Sequence, residues 1–325
     1  MTASHGLNLA EAEALFGAML DGALADAEIA ATLTQLAERG ESAEEIAGAV
    51  RAMRARMKPI SAPAGAIDVC GTGGDGQHSL NVSTAAALVV AACGVPVAKH
   101  GNRAASSLAG GADTLEALGL NLTRASELAE ATLPDLGIAF LFAPAHHPAL
   151  ARLAPIRRAL GHRTIFNLTG PLANPAGVRR QLVGVAHPRL IALYRDAMRL
   201  LGTEAALIVS GEEGLDELSI AGPSHIAAIG LDRFAGEFAP LDAGLMPRAP
   251  EQLRGGDAAF NAAALRAMLL GEPGAYRDAV LLNSAAALIV AGHVDDWFEG
   301  VEEATEAIDR GLANTLLDCW IETVK

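Results

Sequence analysis

The chain has little aromatic content, few cysteines, a deficit of positive charge and no long uninterrupted apolar run. Two Trp, two Tyr and eight Phe in 325 residues leave the core to be filled by aliphatic side chains. The three cysteines, Cys70, Cys93 and Cys319, are odd in number and form no C-x-x-C pair. That argues against a disulfide framework and points to a reducing cytoplasm. The longest apolar stretch, 85–98, contains Gly94 and Pro96 and falls short of the ~20 residues a membrane-spanning helix needs. The first residues carry no basic cluster, and Glu11 and Glu13 interrupt the apolar pattern there, so no signal peptide is expected. Twenty-four Lys and Arg against 38 Asp and Glu give a net charge of -14. Such a surface repels nucleic acid as a whole, and any anion-binding site must be a local pocket.

What is present is organised in two ways. The first sixty residues read as helices only. Leu9, Ala12, Leu15, Phe16, Met19 and Leu20 fall on one helical face,. Ser42-Ala43-Glu44-Glu45 is a capping box, followed by an apolar stripe of Ile46, Val50, Met53 and Met57 that ends at Lys58-Pro59,. The methionines of that stripe read as core filling. After residue 63 short apolar strands alternate with helices. Strands are predicted at 66–70, 95–98, 138–142, 181–185, 206–210 and 225–229, with helices at 83–92 and 114–118 and again from 261 onward,. Alternation of this kind implies a mainly parallel sheet covered on both faces. The segment 148–175 breaks the alternation with a helix bearing Arg152, Arg157 and Arg158 and a rigid Gly170-Pro171-Leu172-Ala173-Asn174-Pro175 connector,. The expected architecture is therefore a small helical domain of residues 1–65 with about 148–178, and a larger α/β domain of 66–147 with about 179–325.

Two stretches carry chemistry. Gly71-Thr72-Gly73-Gly74-Asp75-Gly76 leads through Asn81-Val82-Ser83-Thr84 into an apolar helix. Glycines allow positive φ and close approach of backbone to a ligand, and exposed N–H groups beside a helix N-terminus make an anion cradle. Lys99-His100-Gly101-Asn102-Arg103 follows at the end of the second strand and reads as fixed positive charge with amide donors. Together they suit a polyanionic ligand such as a phosphorylated sugar. The spacing G-x-G-x-x-G is met by Gly71, Gly73 and Gly76. A dinucleotide fold would also need an acidic residue closing the second strand, where Lys99-His100 stands. Asp75 reads either as a turn residue bonding its own backbone or as a group orienting the ligand or its metal. Ser83 and Thr84 read as an N-cap, as phosphate donors, or both. Asp216-Glu217 reads either as a solvated loop or as carboxylates for Mg²⁺, which takes one or two such groups with substrate oxygens and water. His146-His147 beside Pro148 reads as a loop and helix-cap feature, there being no third ligand at metal spacing. No serine–histidine–acid or cysteine–histidine set stands out, which favours a reaction without a protein nucleophile.

In this order the motifs resemble the anthranilate phosphoribosyltransferase family. The likeness includes the glycine loop, residues 81–84 and 99–103, Ala112-Asp113, 115–119, Phe142-Ala143-Pro144, His146-His147-Pro148, Arg157, 163–167, Gly170-Pro171, Asn174-Pro175, 214–218, 261–263 and 274–278. The resemblance implies transfer of a 5-phosphoribosyl group from phosphoribosyl pyrophosphate (PRPP) to the amine of anthranilate, with Mg²⁺ as cofactor and a homodimer formed through the helical part. It assigns PRPP to Gly71, Gly74, Asp75, Ser79, Asn81, Val82, Ser83, Thr84, Lys99, His100, Gly101, Asn102, Arg103, Ala104, Ala105, Ser106, Ser107 and Gly111. It assigns anthranilate to Gly71, His100, Asn102 and Arg157, and the metal to Ser83, Asp216 and Glu217. The chain departs from the family at Leu108-Ala109-Gly110-Gly111, where a lysine and serines are usual, so donor affinity is expected to differ there. Pyrimidine nucleoside phosphorylases share the phosphate logic but differ after the second strand. A non-enzymatic nucleic-acid-binding relative would carry a basic surface and lack Asp216 and Glu217.

Overall fold

The computed structural model describes residues 6–104 and 108–325. Three helices open the chain: Leu9–Asp21, Asp26–Arg39 and Ala43–Arg54. Asn8 Oδ1 caps the first by accepting from the N–H groups of Ala10 and Glu11, and the Ser42–Glu45 capping box forms as the spacing predicts. The third helix ends at Arg54, three residues before Met57 and ahead of the Lys58-Pro59 breaker. Two contacts draw the chain away: Arg56 pairs with Asp21, and the Lys58 N–H donates to His146 O at 2.7 Å. Met57 is therefore outside the buried stripe, which keeps Ile46, Val50 and Met53.

The remainder is built on seven strands: β1 (Ile67–Gly71), β2 (Val97–Gly101), β3 (Ile138–Phe142), β4 (Arg180–Gly184), β5 (Ala205–Gly211), β6 (Ser224–Ile229) and β7 (Gly236–Phe238). Their order is β3-β2-β1-β4-β5-β6-β7. The first five are parallel, and β6 and β7 are antiparallel additions at one edge. Six of the strands lie where the apolar runs predict. The seventh, three residues long and half exposed, has no alternation to betray it. The fold is thus a small N-terminal helical domain with a larger α/β domain around a mostly parallel sheet.

Side chains alternate across the sheet with the two-residue period of a strand. Ile67, Val69, Leu182, Leu207 and Val209 join the core under the helices Val82–Ala92 and Ala275–Ala291. Cys70, Val183, Ala206 and Ile208 face the opposite core, which also holds Phe16, Leu33 and Val50 of the opening helices and Leu153, Phe166 and Leu172 of the interrupting segment. Phe16 and Phe166 meet edge to face at 5.8 Å. The interrupting segment therefore packs with the N-terminal helices, and both rest on one face of the sheet.

In an open parallel sheet the ligand crevice lies at the carboxyl ends of the strands, where the order reverses. Here β1 connects through Val82–Ala92 to β2 on one side, while its other neighbour, β4, arrives much later in the chain. The reversal falls between β1 and β4, and the glycine loop leaves the end of β1 at that point.

Candidate active site

The loop after β1 has the backbone that its glycines permit: Gly73, Gly74 and Gly76 have φ of 64°, 72° and 74°. Across it lies the 213–217 turn. Asp216 Oδ2 accepts from the Gly73 N–H at 2.7 Å, Glu217 Oε1 accepts from the Ser83 N–H at 3.1 Å, and Gln77 Nε2 donates to Glu213 O. This fold-back needs glycine at two strand ends. A Cβ on Gly71 would stand 2.3 Å from Asp216 Oδ2, and one on Gly184 only 1.6 Å from Asp216 O.

Asp216 and Glu217 are therefore no solvated pair. Glu217 is buried and Asp216 half-buried. Desolvation, reinforced by the charge of Asp75, raises the Asp216 pKa, and desolvation with the charge of Asp216 raises that of Glu217,. Asp75 plays the turn part expected of it. Its Oδ1 accepts from the Gln77 N–H at 3.1 Å, and its buried Oδ2 has no partner. Three crowded carboxyl groups, one with an orphaned oxygen, beside the Ser83 hydroxyl and offset only by the nearby Lys99 charge, form an all-oxygen donor set that fits a hard divalent ion. Among the described residues no three acidic, histidine or cysteine side chains close on a metal by themselves. An ion here would take one or two carboxylates and complete its shell from ligand oxygens.

The stretch from Lys99 to Arg103 does not supply three free cations. Lys99 and His100 lie inside β2 rather than after it. Lys99 is buried, with Nζ donating to Val69 O at 2.6 Å and 3.3 Å from Ser83 Oγ. His100 is buried and neutral. Desolvation, followed by the nearness of His147, lowers its pKa to about 3. Its Nδ1 sits 3.1 Å from Gly170 O, so it carries the proton, and Nε2 has no partner. The Arg103 guanidinium pairs with Asp113 at 2.9 Å and with Glu116. Asn102 is exposed, its Oδ1 accepting from the Arg103 N–H. Ala104 N–H and Gly110 N–H both donate to Asp113 Oδ2, which ties these two positions to the start of the following helix. Ala105, Ser106 and Ser107 lie outside the described residues. Leu108 is 72% exposed.

The helix Val82–Ala92 starts two residues earlier than an N-cap at Ser83 requires, so Asn81 stands at the N-cap position. Asn81 makes no side-chain cap bond. Its Oδ1 accepts from Thr114 Oγ1 and from Asn261 Nδ2, and its Nδ2 donates to Ala109 O. The side chain is thus a strut between three segments, and only its backbone and its neighbours Val82, Ser83 and Thr84 remain for a ligand. Thr84 is buried, with Oγ1 2.7 Å from where a Gly111 Cβ would stand. Ser79 bridges to Arg254 at the loop's far end.

Arg157 lies on the helix Leu153–Leu160, half-buried, with Nη2 3.3 Å from Asn167 Oδ1 and its guanidinium over the Phe166 ring. Among the described residues no carboxylate pairs with it, which leaves a guanidinium fork suited to a carboxylate ligand. Three contributors are not legible in the sequence. Asp68, buried in β1, accepts from the His100 N–H and from Asn174 Nδ2. Asn283 brackets the Leu218 peptide. His147, buried with its ring 5.2 Å from that of His100, caps nothing with its side chain. Desolvation lowers its pKa to about 4. The His146-His147-Pro148 motif is the one signal of this pair, and only the fold shows which partner the second ring meets.

Known proteins share this arrangement. A glycosyl transferase helical-bundle domain matches residues 2–57, and a glycosyl transferase a/b domain matches residues 64–314. The chain thus belongs to the glycosyl transferases that join a helical bundle to an α/β domain. Among curated proteins, anthranilate phosphoribosyltransferases of Novosphingobium aromaticivorans and Sphingopyxis alaskensis are similar. The first is 66% identical, covering 99% of this chain and 98% of its own length; the second is 62% identical, covering 96% and 94%. A crystal structure of the Thermus thermophilus enzyme of that name is similar at a TM-score of 0.92 and 42% identity, covering 99% of this chain and 97% of its own. A Saccharomyces cerevisiae counterpart in complex with PRPP and Mg is similar at 0.88 and 29%, covering 97% and 92%. This chain belongs to the anthranilate phosphoribosyltransferase family.

Proposed function

We propose that the chain transfers the 5-phosphoribosyl group of PRPP to the amine of anthranilate, releasing pyrophosphate, in tryptophan biosynthesis. The observation that carries this is the crevice between β1 and β4. There a positive-φ glycine loop and a helix N-terminus lie against buried, mutually repelling carboxyl groups in an otherwise acidic protein.

The bond from ribose carbon 1 to pyrophosphate breaks, a bond from carbon 1 to the aryl nitrogen forms, and the amine loses one proton. The ribose passes through an oxocarbenium-like state. A bound Mg²⁺ supplies neutralisation of the charge building on pyrophosphate. Ser83, Asp216 and Glu217 would hold it. Gly71, Gly74, Asp75, Ser79, residues 81–84, residues 99–107 and Gly111 would hold the phosphates and ribose. Arg157 would take the anthranilate carboxylate, with Gly71, His100 and Asn102 lining the same pocket. The aryl amine is neutral at pH 7, so positioning supplies most of the acceleration. The two-piece helical domain, a homodimer through its surface and a cytoplasmic location belong to this proposal. No helix among the described residues is long and apolar enough to cross a membrane.

The test is formation of fluorescent phosphoribosyl-anthranilate with and without Mg²⁺. Product is expected only with the ion, and the response to Mg²⁺ should shift in a variant combining Asp216→Asn with Glu217→Gln. A folded wild-type sample making no product in either condition refutes the activity. An unchanged metal profile in the double variant removes those residues from the metal site.

A further inference from the structure

The connector that follows Asn167 is held by side chains reaching in from separate elements. Tyr194 Oη donates to Leu168 O. His100 Nδ1 lies on Gly170 O, and Gln181 Nε2 donates to Pro171 O at 2.9 Å. Arg54 places both Nε, at 3.1 Å, and Nη2, at 2.7 Å, on Leu172 O. Asn174 Nδ2 then ties the end of the segment to Asp68 and to Ala98 O. A short turn with Gly170 and Pro171 has no ladder to join, so its buried carbonyls need partners of this kind.

Arg54 is the one of these that comes from the N-terminal helices. It is the last residue of Ala43–Arg54, and burial, with the charge of Arg51 a smaller cause, lowers its pKa. Among the described residues no carboxylate pairs with it. A desolvated guanidinium without a counter-charge is costly, and an apolar side chain of similar length would fill the space at less cost. The residue type is accounted for by what its two donors hold.

We propose that Arg54 is a positioning residue for the acceptor side of the active site. It fixes the Gly170–Leu172 turn through Leu172 O. The Gly170 carbonyl then keeps the proton of His100 on Nδ1, leaving Nε2 as the free lone pair. This rests on the reading that His100 lines the anthranilate pocket.

The test compares Arg54→Met, which keeps length and loses both donors, with Arg54→Lys, which keeps the charge and one donor. Two readouts are taken: KM for each substrate, and the imidazole ¹⁵N shifts of His100 in the substrate-free protein. Arg54→Met should raise KM for anthranilate on the order of tenfold, the scale of a lost charge-assisted hydrogen bond. KM for PRPP, which His100 also lines in that reading, should rise clearly less than KM for anthranilate. His100 should change from a single Nδ1–H tautomer to a mixture, and Arg54→Lys should restore most of both properties. A variant that unfolds more easily yet keeps both KM values and the tautomer overturns the proposal, as does an equal rise in the two KM values. Should Arg54→Met not fold, Arg54→Gln, which keeps one neutral donor, takes its place: a rise in KM for anthranilate with a mixed His100 tautomer supports the role, and unchanged KM with an unchanged tautomer overturns it. If the wild-type protein makes no phosphoribosyl-anthranilate, the functional reading fails while the tautomer measurement still decides whether Arg54 positions His100.

Discussion

Acid should remove the stabilisation that a neutral, buried His100 gives this protein before it titrates most surface carboxylates. In the folded chain the His100 pKa falls from 6.5 to about 3 because the ring is buried beside His147, with an unpartnered Nε2. The unfolded chain takes up the proton near pH 6.5, and the folded chain does not until about pH 3. The resulting stabilisation is complete above pH 6.5 and is lost as pH falls toward 3. At about 1.4 kcal/mol per unit, the whole depression is worth roughly 5 kcal/mol, of which about 3 kcal/mol is gone by pH 4.5. That is a large part of the 5–15 kcal/mol typical of a folded domain. His147, lowered to about 4, acts in the same direction, but rings in contact do not titrate independently. The raised carboxyl groups of Asp68, Asp216 and Glu217 act oppositely, contributing stability at low pH that is lost as pH rises through their folded values. The assay is urea unfolding of wild type and His100→Gln at several pH values from 7.5 to 4.5. The variant starts less stable at pH 7, having lost the bond to Gly170. The advantage of wild type should shrink by about 3 kcal/mol across the range. Parallel pH profiles would refute the claim that a neutral, desolvated His100 is built into the fold.

Two further perturbations address the site. Gly71→Ala needs no forbidden backbone, but its Cβ would push the Asp216 carboxylate off the Gly73 N–H. Activity should need about tenfold more Mg²⁺ with little change in Tm, whereas Gly184→Ala, facing backbone at 1.6 Å, should lower Tm severely; similar Tm values for the two would contradict the fold-back geometry. Arg157→Ala should raise KM for anthranilate far more than KM for PRPP, and steady-state kinetics showing equal rises would contradict its assignment to the acceptor.

Periodicity carries the fold because burial enforces it. A strand such as Leu207-Ile208-Val209, covered on both faces, must be apolar throughout, and the helix at Ser42 must be capped, so both are legible from residue type. Strand order is not, since nothing local in 181–185 says that it inserts beside β1. The end of the third helix is likewise set by Arg56–Asp21 and by Lys58 meeting His146, contacts between residues far apart in the chain.

The candidate site divides along the same line. Its glycines are legible because positive φ and close approach demand that residue type. Its charges are not, because the meaning of a charged residue is set by what the fold packs around it. Lys99 turns inward to Val69 O, His100 is discharged by burial, and Arg103 is neutralised by Asp113 and Glu116. The string that reads as a cationic loop becomes a strand end whose charges are turned inward, discharged or paired. The adjacent acids that read equally well as a solvated turn become the buried, repelling pair. That inversion is what would accommodate the proposed polyanion with its divalent ion. In the proposed function the carboxyl groups would provide affinity for the cation, and backbone N–H groups of the glycine loop would receive the phosphates. An acidic protein would in this way bind an anion beside buried carboxyl groups that repel one another.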